Sequence, residues 1–360
     1  MDPRLEPLPA RTPGWLREGA PDGDVVVSSR VRLARNLART RFPHLLPEDE
    51  AEVLCARVRE HVRDWIGEAV ALDPRELEEV ERDLLVERNL ASRDLLEAPR
   101  PTLLAFGEEE TRGILVNEED HFRIQAIAPG LQFPAVQRAA RSLSLQVGRV
   151  FPFATHERYG FLTACPTNLG TGLRASVLLH LPALGRARQP LEKVIKTAQR
   201  SQLAVRGFHG EGSGSMGDFY QISNQSTLGT TQAEQVERVR GFTARVVEFE
   251  REVRHQLFEG EEHRRLLEEH VARALETLAG AEALATQSAL ECLGILRLAT
   301  LGGLLPEGAP DLDPHRLLEL SFRLQPGHLQ LQVGRSLGPE ERDRERARLV
   351  REALGIPSAG

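Results

Sequence analysis

The chain has 360 residues, 41% hydrophobic and 28% charged, with a formal net charge of −7; that is ample for one or two real cores and excludes a disordered or collagenous chain. Of its 46 basic residues only Lys193 and Lys196 are lysines, and neither follows a G-x-x-x-x-G, so any nucleoside triphosphate must be held by arginines rather than by a P-loop. Cys55, Cys165 and Cys292 lie far apart with no C-x-x-C, no H-E-x-x-H occurs, and neither a signal-peptide core nor a membrane-length apolar run is present; these features predict a cytoplasmic protein without a disulfide scaffold or zinc finger, binding neither membrane nor nucleic acid.

Residues 1–23, rich in Pro, Gly and charge, read as a loose leader. Residues 24–36 open on a valine run and predict a strand. Residues 47–66 place Leu54, Val58, Val62 and Trp65 at helical spacing. Segments 102–106, 113–116 and 122–127 predict strands, 134–147 a helix, and 159–164 a further strand. Residues 206–217 predict a glycine-rich loop and 219–223 a short strand. Thr231-Gln-Ala-Glu234 predicts a capping box, followed by Val236, Val239, Val246, Phe249, Val253 and Leu257 at helical spacing. Beyond it only helices are predicted, punctuated by glycines and prolines. The expected organisation is a leader (1–23), an α+β catalytic domain (24–250) and an all-α C-terminal domain (251–360).

Four segments carry chemistry. In Ser28-Ser-Arg-Val-Arg32, strand alternation puts Arg30 and Arg32 on one side, where two guanidinium forks suit polyphosphate oxygens. Asn117-Glu-Glu-Asp-His121 packs three carboxylates together, which repel unless each meets a cation or donor. Cys165-Pro-Thr-Asn-Leu-Gly-Thr-Gly-Leu-Arg174 reads as a strand–turn–helix corner whose Gly170 and Gly172 let backbone approach an anion. Gly212-Ser-Gly-Ser-Met-Gly217 matches G-x-G-x-x-G without the strand and βαβ context of a dinucleotide site, and reads as a loop closing over substrate, with Arg206 and Glu211 at its entrance.

Together with Arg206-Gly-Phe-His-Gly-Glu211 and Gln221-Ile-Ser-Asn224, these motifs occur in the order found in the phosphagen (ATP:guanido) kinases, and the set most closely resembles the bacterial protein arginine kinases. The resemblance covers about residues 24–230. It implies an antiparallel sheet flanked by helices, and it implies ATP with Mg²⁺. Ser28, Arg30, Arg32, Arg123, Arg174 and Arg206 would surround the ATP phosphates. Glu119 would be the catalytic carboxylate, Glu211 a second carboxylate gripping the substrate guanidinium, and Cys165 would sit beside the reacting nitrogen. The family often has a glutamate where this chain has Gly214, and phosphagen kinases place an arginine at His209.

Only 27 residues precede Ser28, leaving no room for the helical N-terminal lid of phosphagen kinases; an open site suits an arginine side chain exposed on a protein. In the tail, Arg342-Asp-Arg-Glu-Arg-Ala347 resembles a phosphoarginine-binding motif, with Arg342 and Arg346 four apart on one helix face and Asp343 beside them. A free-guanidine kinase and a weakly active phosphoarginine-binding adaptor remain as alternatives. The resemblance further implies a homodimer, allosteric control by phosphoarginine, a zinc-binding activator, a Clp ATPase/protease and a role in stress response and protein quality control.

Overall fold

The computed structural model describes residues 2–207, 215–307 and 309–356. In chain order the first half comprises β1 (Val26–Arg35), α1 (Glu48–Ile66), β2 (Ala69–Leu72), α2 (Glu79–Glu87), α3 (Arg93–Leu96), β3 (Leu103–Gly107), β4 (Arg112–Val116), β5 (Phe122–Pro129) and α4 (Phe133–Val150). After these come β6 (Thr155–His156), β7 (Gly160–Phe161), β8 (Leu173–His180), α5 (Pro182–Arg186), α6 (Arg188–Arg200), β9 (Leu203–Gly207), β10 (Phe219–Asn224) and α7 (Gln232–Glu259). Eight strands form one antiparallel sheet in the order β2-β3-β4-β5-β1-β8-β10-β9, while β6 and β7 pair separately.

The two faces of this sheet differ because alternate residues differ. On one face Val31, Leu33, Ile114, Ile124, Ala175 and Ile222 bury against the apolar stripes of α1, α4 and α7. On the other, Leu104, Phe106 and Leu115 close one end against α2 and α3. Val27, Ile127, Leu178 and Phe219 close another against Trp15, Leu318 and Phe322. Between these two apolar clusters the second face belongs to arginines.

The helices α8 (Glu261–Gly280), α9 (Thr286–Gly302), α10 (Pro314–Arg323), α11 (Pro326–Val333) and α12 (Pro339–Leu354) complete the chain. They share one continuous core with the sheet, reaching from Val25 to Ile356. The boundary expected between 250 and 251 therefore falls inside α7. Glu250 itself is buried there, accepting hydrogen bonds from the amides of Ala183 (2.8 Å) and Leu184 (2.9 Å). The capping box is present: Thr231 accepts from the Glu234 amide, and Glu234 reaches back to the Thr231 amide.

The leader is not loose. Leu5, Leu8, Trp15 and Leu16 are buried, and Trp15 meets Phe322 edge-on at 5.3 Å between centroids. Four anchors of this size, each worth roughly 1.5–3 kcal/mol when buried, outweigh the local Pro and Gly composition. The strand expected at 159–164 shrinks to Gly160–Phe161. The corner after Cys165 leads not into a helix but, through a short turn at Pro166–Asn168, into the central strand β8. Non-local pairing decides this, since β8 lies between β1 and β10 and hydrogen-bonds to both. Gly170 and Gly172 make the corner, with φ of +105° and +57°. A Cβ on Gly170 would stand 2.6 Å from the Thr227 carbonyl oxygen.

Candidate active site

Register places the arginine set on one face. Arg32 lies opposite Gln125 and Arg174, Arg30 opposite Ile127 and Ser176, Ala34 opposite Arg123, and Arg206 opposite Gln221 on β10. Ser28, two residues before Arg30, is buried on the same side. Five guanidiniums from four strands thus converge on the gap between the two apolar clusters, with Arg206 at the exposed end.

The electrostatics of the cluster are one-sided. Among the described residues Arg30, Arg32 and Arg174 have no carboxylate partner, and the Nε atoms of Arg32 and Arg174 are buried without an acceptor. Burial, then repulsion from Arg174 and Arg123, pushes Arg30 down to about 10. Burial pushes Arg32 well down too, with Arg30, Arg123 and Arg174 adding to it and Glu118 opposing. Arg174 is lowered by burial and by Arg206 and Arg123. A buried, uncompensated cation costs several kcal/mol, so the site is built to be completed by an anion of high charge density. A polyphosphate fits this: its oxygens would supply the missing acceptors bidentately.

Asn89 joins this cradle without having been visible in the sequence. It follows α2 with φ +59°, its Oδ1 lies 3.5 Å from Arg30 Nη1, and its Nδ2 is buried without a partner among the described residues. Gln221, on the other side, offers Oε1 at 3.4 Å to Arg30 Nη2.

The acidic block is sorted by its surroundings. Residues 117–121 form the β4–β5 hairpin, closed by Asn117 N–H donating to the His121 carbonyl at 3.1 Å. Asn117, at φ +59°, turns its amide inward to the Ala51 and Pro101 carbonyls. Glu118 is buried, takes a hydrogen bond from Ser92 and pairs with Arg123 at 2.5 Å. Asp120 is buried and accepts from Asn36 Nδ2 (2.6 Å) and the Ala164 amide (2.7 Å). Of the three carboxylates only Glu119 reaches the surface of the cleft, 3.9 Å from Arg123 Nη2 and 3.3 Å from Asn168 Nδ2. Partial burial, with Asp120 and Glu118 nearby, raises its pKa; Arg123 and a hydrogen bond with Cys165 oppose the rise. The Asp120–Ala164 bond pins the hairpin to the Cys165 loop, which sets Glu119 and Cys165 side by side. The Cys165 thiol also lies 2.9 Å from Thr167 Oγ1.

His121 underpins the hairpin. Its Nδ1 is 2.8 Å from Asn36 Oδ1, Nε2 is buried without a partner, and burial pushes its pKa down to about 4. A folded-state pKa below the unfolded value of about 6.5 means stability is whole above that value and lost as pH falls toward 4, by on the order of 3 kcal/mol. His180 and His328 are depressed by burial too and add in the same direction. The urea midpoint is expected to drop between pH 7.5 and 4.5, and His121→Asn should shrink that drop; an unchanged pH slope in the variant would remove His121 from this account.

Glu211, His209 and Gly214 lie outside the described residues. In the tail, Arg346 is buried, donating from Nε to the Leu324 carbonyl (3.0 Å) and from Nη1 to the Leu284 carbonyl (2.7 Å) and Asp343 (2.5 Å). Among the described residues, the half-buried Arg342 side chain has one hydrogen-bond contact, at 3.5 Å to the Leu337 carbonyl. The motif is therefore brought together, but Arg346 serves the core. Among the described residues no group of three or more His, Cys, Asp or Glu could hold a metal ion, and no helix is long and apolar enough to cross a membrane.

Known proteins resemble this chain along nearly its whole length. Residues 56–253 match the family described as ATP:guanido phosphotransferase, C-terminal catalytic domain. Residues 264–359 match the protein-arginine kinase McsB C-terminal domain. A protein-arginine kinase of Bacillus licheniformis is 38% identical over 350 residues, covering 96% of this chain and 94% of that one. The Moorella thermoacetica protein-arginine kinase is 38% identical, covering 96% and 98%. This chain belongs to the protein-arginine kinase family. It is accordingly an ATP-dependent guanido phosphotransferase. Among solved structures, the duplicated taurocyamine kinase of Schistosoma mansoni superposes with a TM-score of 0.58 at 26% identity, over 74% of this chain and 39% of that one. Lombricine kinase superposes at 0.56 and 24% identity, over 68% and 70%, a likeness of fold.

Proposed function

We propose that this protein transfers the γ-phosphoryl group of ATP to arginine side chains of other proteins, giving N-phosphoarginine. The observation that supports it best is a set of five convergent arginines, three of them without a carboxylate partner among the described residues, beside the cleft-facing carboxylate of Glu119. Arg30, Arg32, Arg123, Arg174 and Arg206, with Ser28 and Asn89, hold the triphosphate in line with the acceptor nitrogen. Glu119 orients the incoming guanidinium and takes its proton as the nitrogen attacks phosphorus and ADP leaves. Its raised pKa makes it a stronger base than an ordinary carboxylate, and Glu211 is assigned as a second carboxylate for the substrate guanidinium. Cys165, hydrogen-bonded to Glu119, sits beside the reacting nitrogen. Mg²⁺ accompanying the nucleotide would supply further charge neutralisation, while Arg30, Arg32, Arg123, Arg174 and Arg206 would hold the phosphates.

The division of labour we assign is a catalytic unit ending with α7 and a regulatory unit from α8 onward. In the latter, Arg342 and Asp343 recognise phosphoarginine, and buried Arg346 positions Asp343. A homodimer, a zinc-binding activator and a Clp ATPase/protease as partners, with a cytoplasmic role in stress-linked protein quality control, complete the reading. The deciding experiment is incubation with ATP and unfolded casein, followed by mass spectrometry for acid-labile phosphoarginine. Phosphoarginine on casein is the expected result. Label on free arginine alone would replace the protein substrate by a small guanidine, and no ADP release with either would leave a binding protein.

A further inference from the structure

Glu87 and Arg88, at the end of α2, are buried against the start of α11. Glu87 accepts from the amides of Gly327 (2.7 Å) and His328 (2.9 Å), capping that helix with a carboxylate where its dipole favours one. The approach is close enough that a Cβ on Gly327 would stand 2.4 Å from the Leu84 nitrogen. His328 Nδ1 lies 3.0 Å from Glu87 Oε2, and Nε2 lies 3.1 Å from Arg88 Nη1. Arg88 is a pure donor, so Nε2 must accept and Nδ1 must carry the hydrogen. The imidazole is neutral in one tautomer, and a second proton would set N–H against N–H. Burial lowers its pKa, in keeping with that state. The other edge of Arg88 forms a buried ion pair with Glu110, and Nη2 reaches the Arg11 carbonyl at 3.1 Å.

The residue after Arg88 is Asn89, in the left-handed conformation, with its side chain at Arg30 and its carbonyl accepting from Gln125 at 3.1 Å. Fixing the Arg88 side chain on both edges fixes the peptide that carries Asn89 into the phosphate cradle. We propose that Glu87, His328 and Arg88 form a positioning relay by which the C-terminal helices hold Asn89, and through it Arg30, in the geometry that ATP requires. None of the three touches the nucleotide. They act through Asn89, and the inference rests on the reading of Arg30 as a phosphate ligand.

The experiment is steady-state kinetics of the full chain with ATP and casein as varied substrates, on variants whose melting curves show a folded protein. His328→Asn keeps a donor near Glu87 but lacks the reach to accept from Arg88; it is expected to raise the KM for ATP about 5- to 10-fold with the KM for casein unchanged. His328→Gln, whose Oε1 reaches the position of Nε2, should restore the ATP KM. Glu87→Gln, a smaller perturbation of the same contacts, should raise it 2- to 5-fold. Asn89→Ala should raise it as well, and adding His328→Asn to Asn89→Ala should raise it no further. Multiplying effects in the double variant, or a fall in kcat with both KM values unchanged, would overturn the relay and leave a merely structural contact. Arg30→Ala separates the two failures: if it destroys ATP use while His328→Asn is silent, the relay alone is wrong, whereas an unchanged ATP KM in Arg30→Ala removes the phosphate site on which the relay depends.

Discussion

Glu119→Gln is expected to lower kcat by about 10²- to 10⁴-fold, the range a positioned general base contributes, with the KM for ATP and the melting temperature nearly unchanged. The side chain is half-exposed and tied to the scaffold only by the 3.3 Å contact from Asn168, the distant Arg123 and Cys165, so its loss removes chemistry rather than packing. Glu118→Gln is the instructive contrast. That carboxylate is buried and paired with Arg123 at 2.5 Å, and removing one member of such a pair typically costs about 3–5 kcal/mol. Single-turnover phosphorylation of casein at pH 8, beside melting curves of both variants, separates the two roles. In the wild type, turnover is expected to fall as acid protonates Glu119, and to begin falling at a higher pH than for an ordinary glutamate because burial raises its pKa. A fully active Glu119→Gln variant would shift the role of base to another carboxylate.

The second large effect has opposite signs for function and stability. Arg32 is buried among Arg30, Arg123 and Arg174 with its Nε unpartnered. Replacing a buried charge by an apolar side chain of similar volume is often neutral to stabilising by about 1–4 kcal/mol. Arg32→Met is therefore expected to raise the melting temperature of the nucleotide-free protein by roughly 2–8 °C. On the proposed reading the same change also removes a phosphate-binding fork, and kcat/KM for ATP is expected to fall by at least about 10²-fold. The shift in melting temperature that ADP gives the wild type should disappear. Thermal melts with and without ADP, beside kinetics, read both sides. A variant that is less stable and still shifts with ADP would show that Arg32 is an ordinary structural arginine.

Sequence patterning exposed what depends on alternation and spacing. Arg30 and Arg32 share a face because a strand has period two, and Thr231–Glu234 start a helix because a capping box is local chemistry. The Cys165 block was recognisable by its residues but not by its conformation. Glycines at positive φ serve a helix start and a strand corner equally, and only pairing with β1 and β10 chooses between them. The leader misled because its prolines and glycines are frequent while its anchors are few. Among Glu118, Glu119 and Asp120 the sequence offers three equivalent carboxylates; Asn36, Ser92 and Ala164, distant in the chain, decide which one stays free. Asn89 carried no signal at all, since its role arises from a left-handed residue at a helix end facing a strand far away.

Helix α7 ties the two matched segments together. It runs 28 residues from the sheet into the C-terminal helices, burying Val236, Val239, Phe242, Val246, Val247 and Val253 along its length. The two matched segments share one apolar core, and a shared core favours their unfolding together. On the proposed reading, a destabilising change in α9 would deplete intact phosphate cradles as one in α4 does, so defects in the two halves are expected to resemble each other.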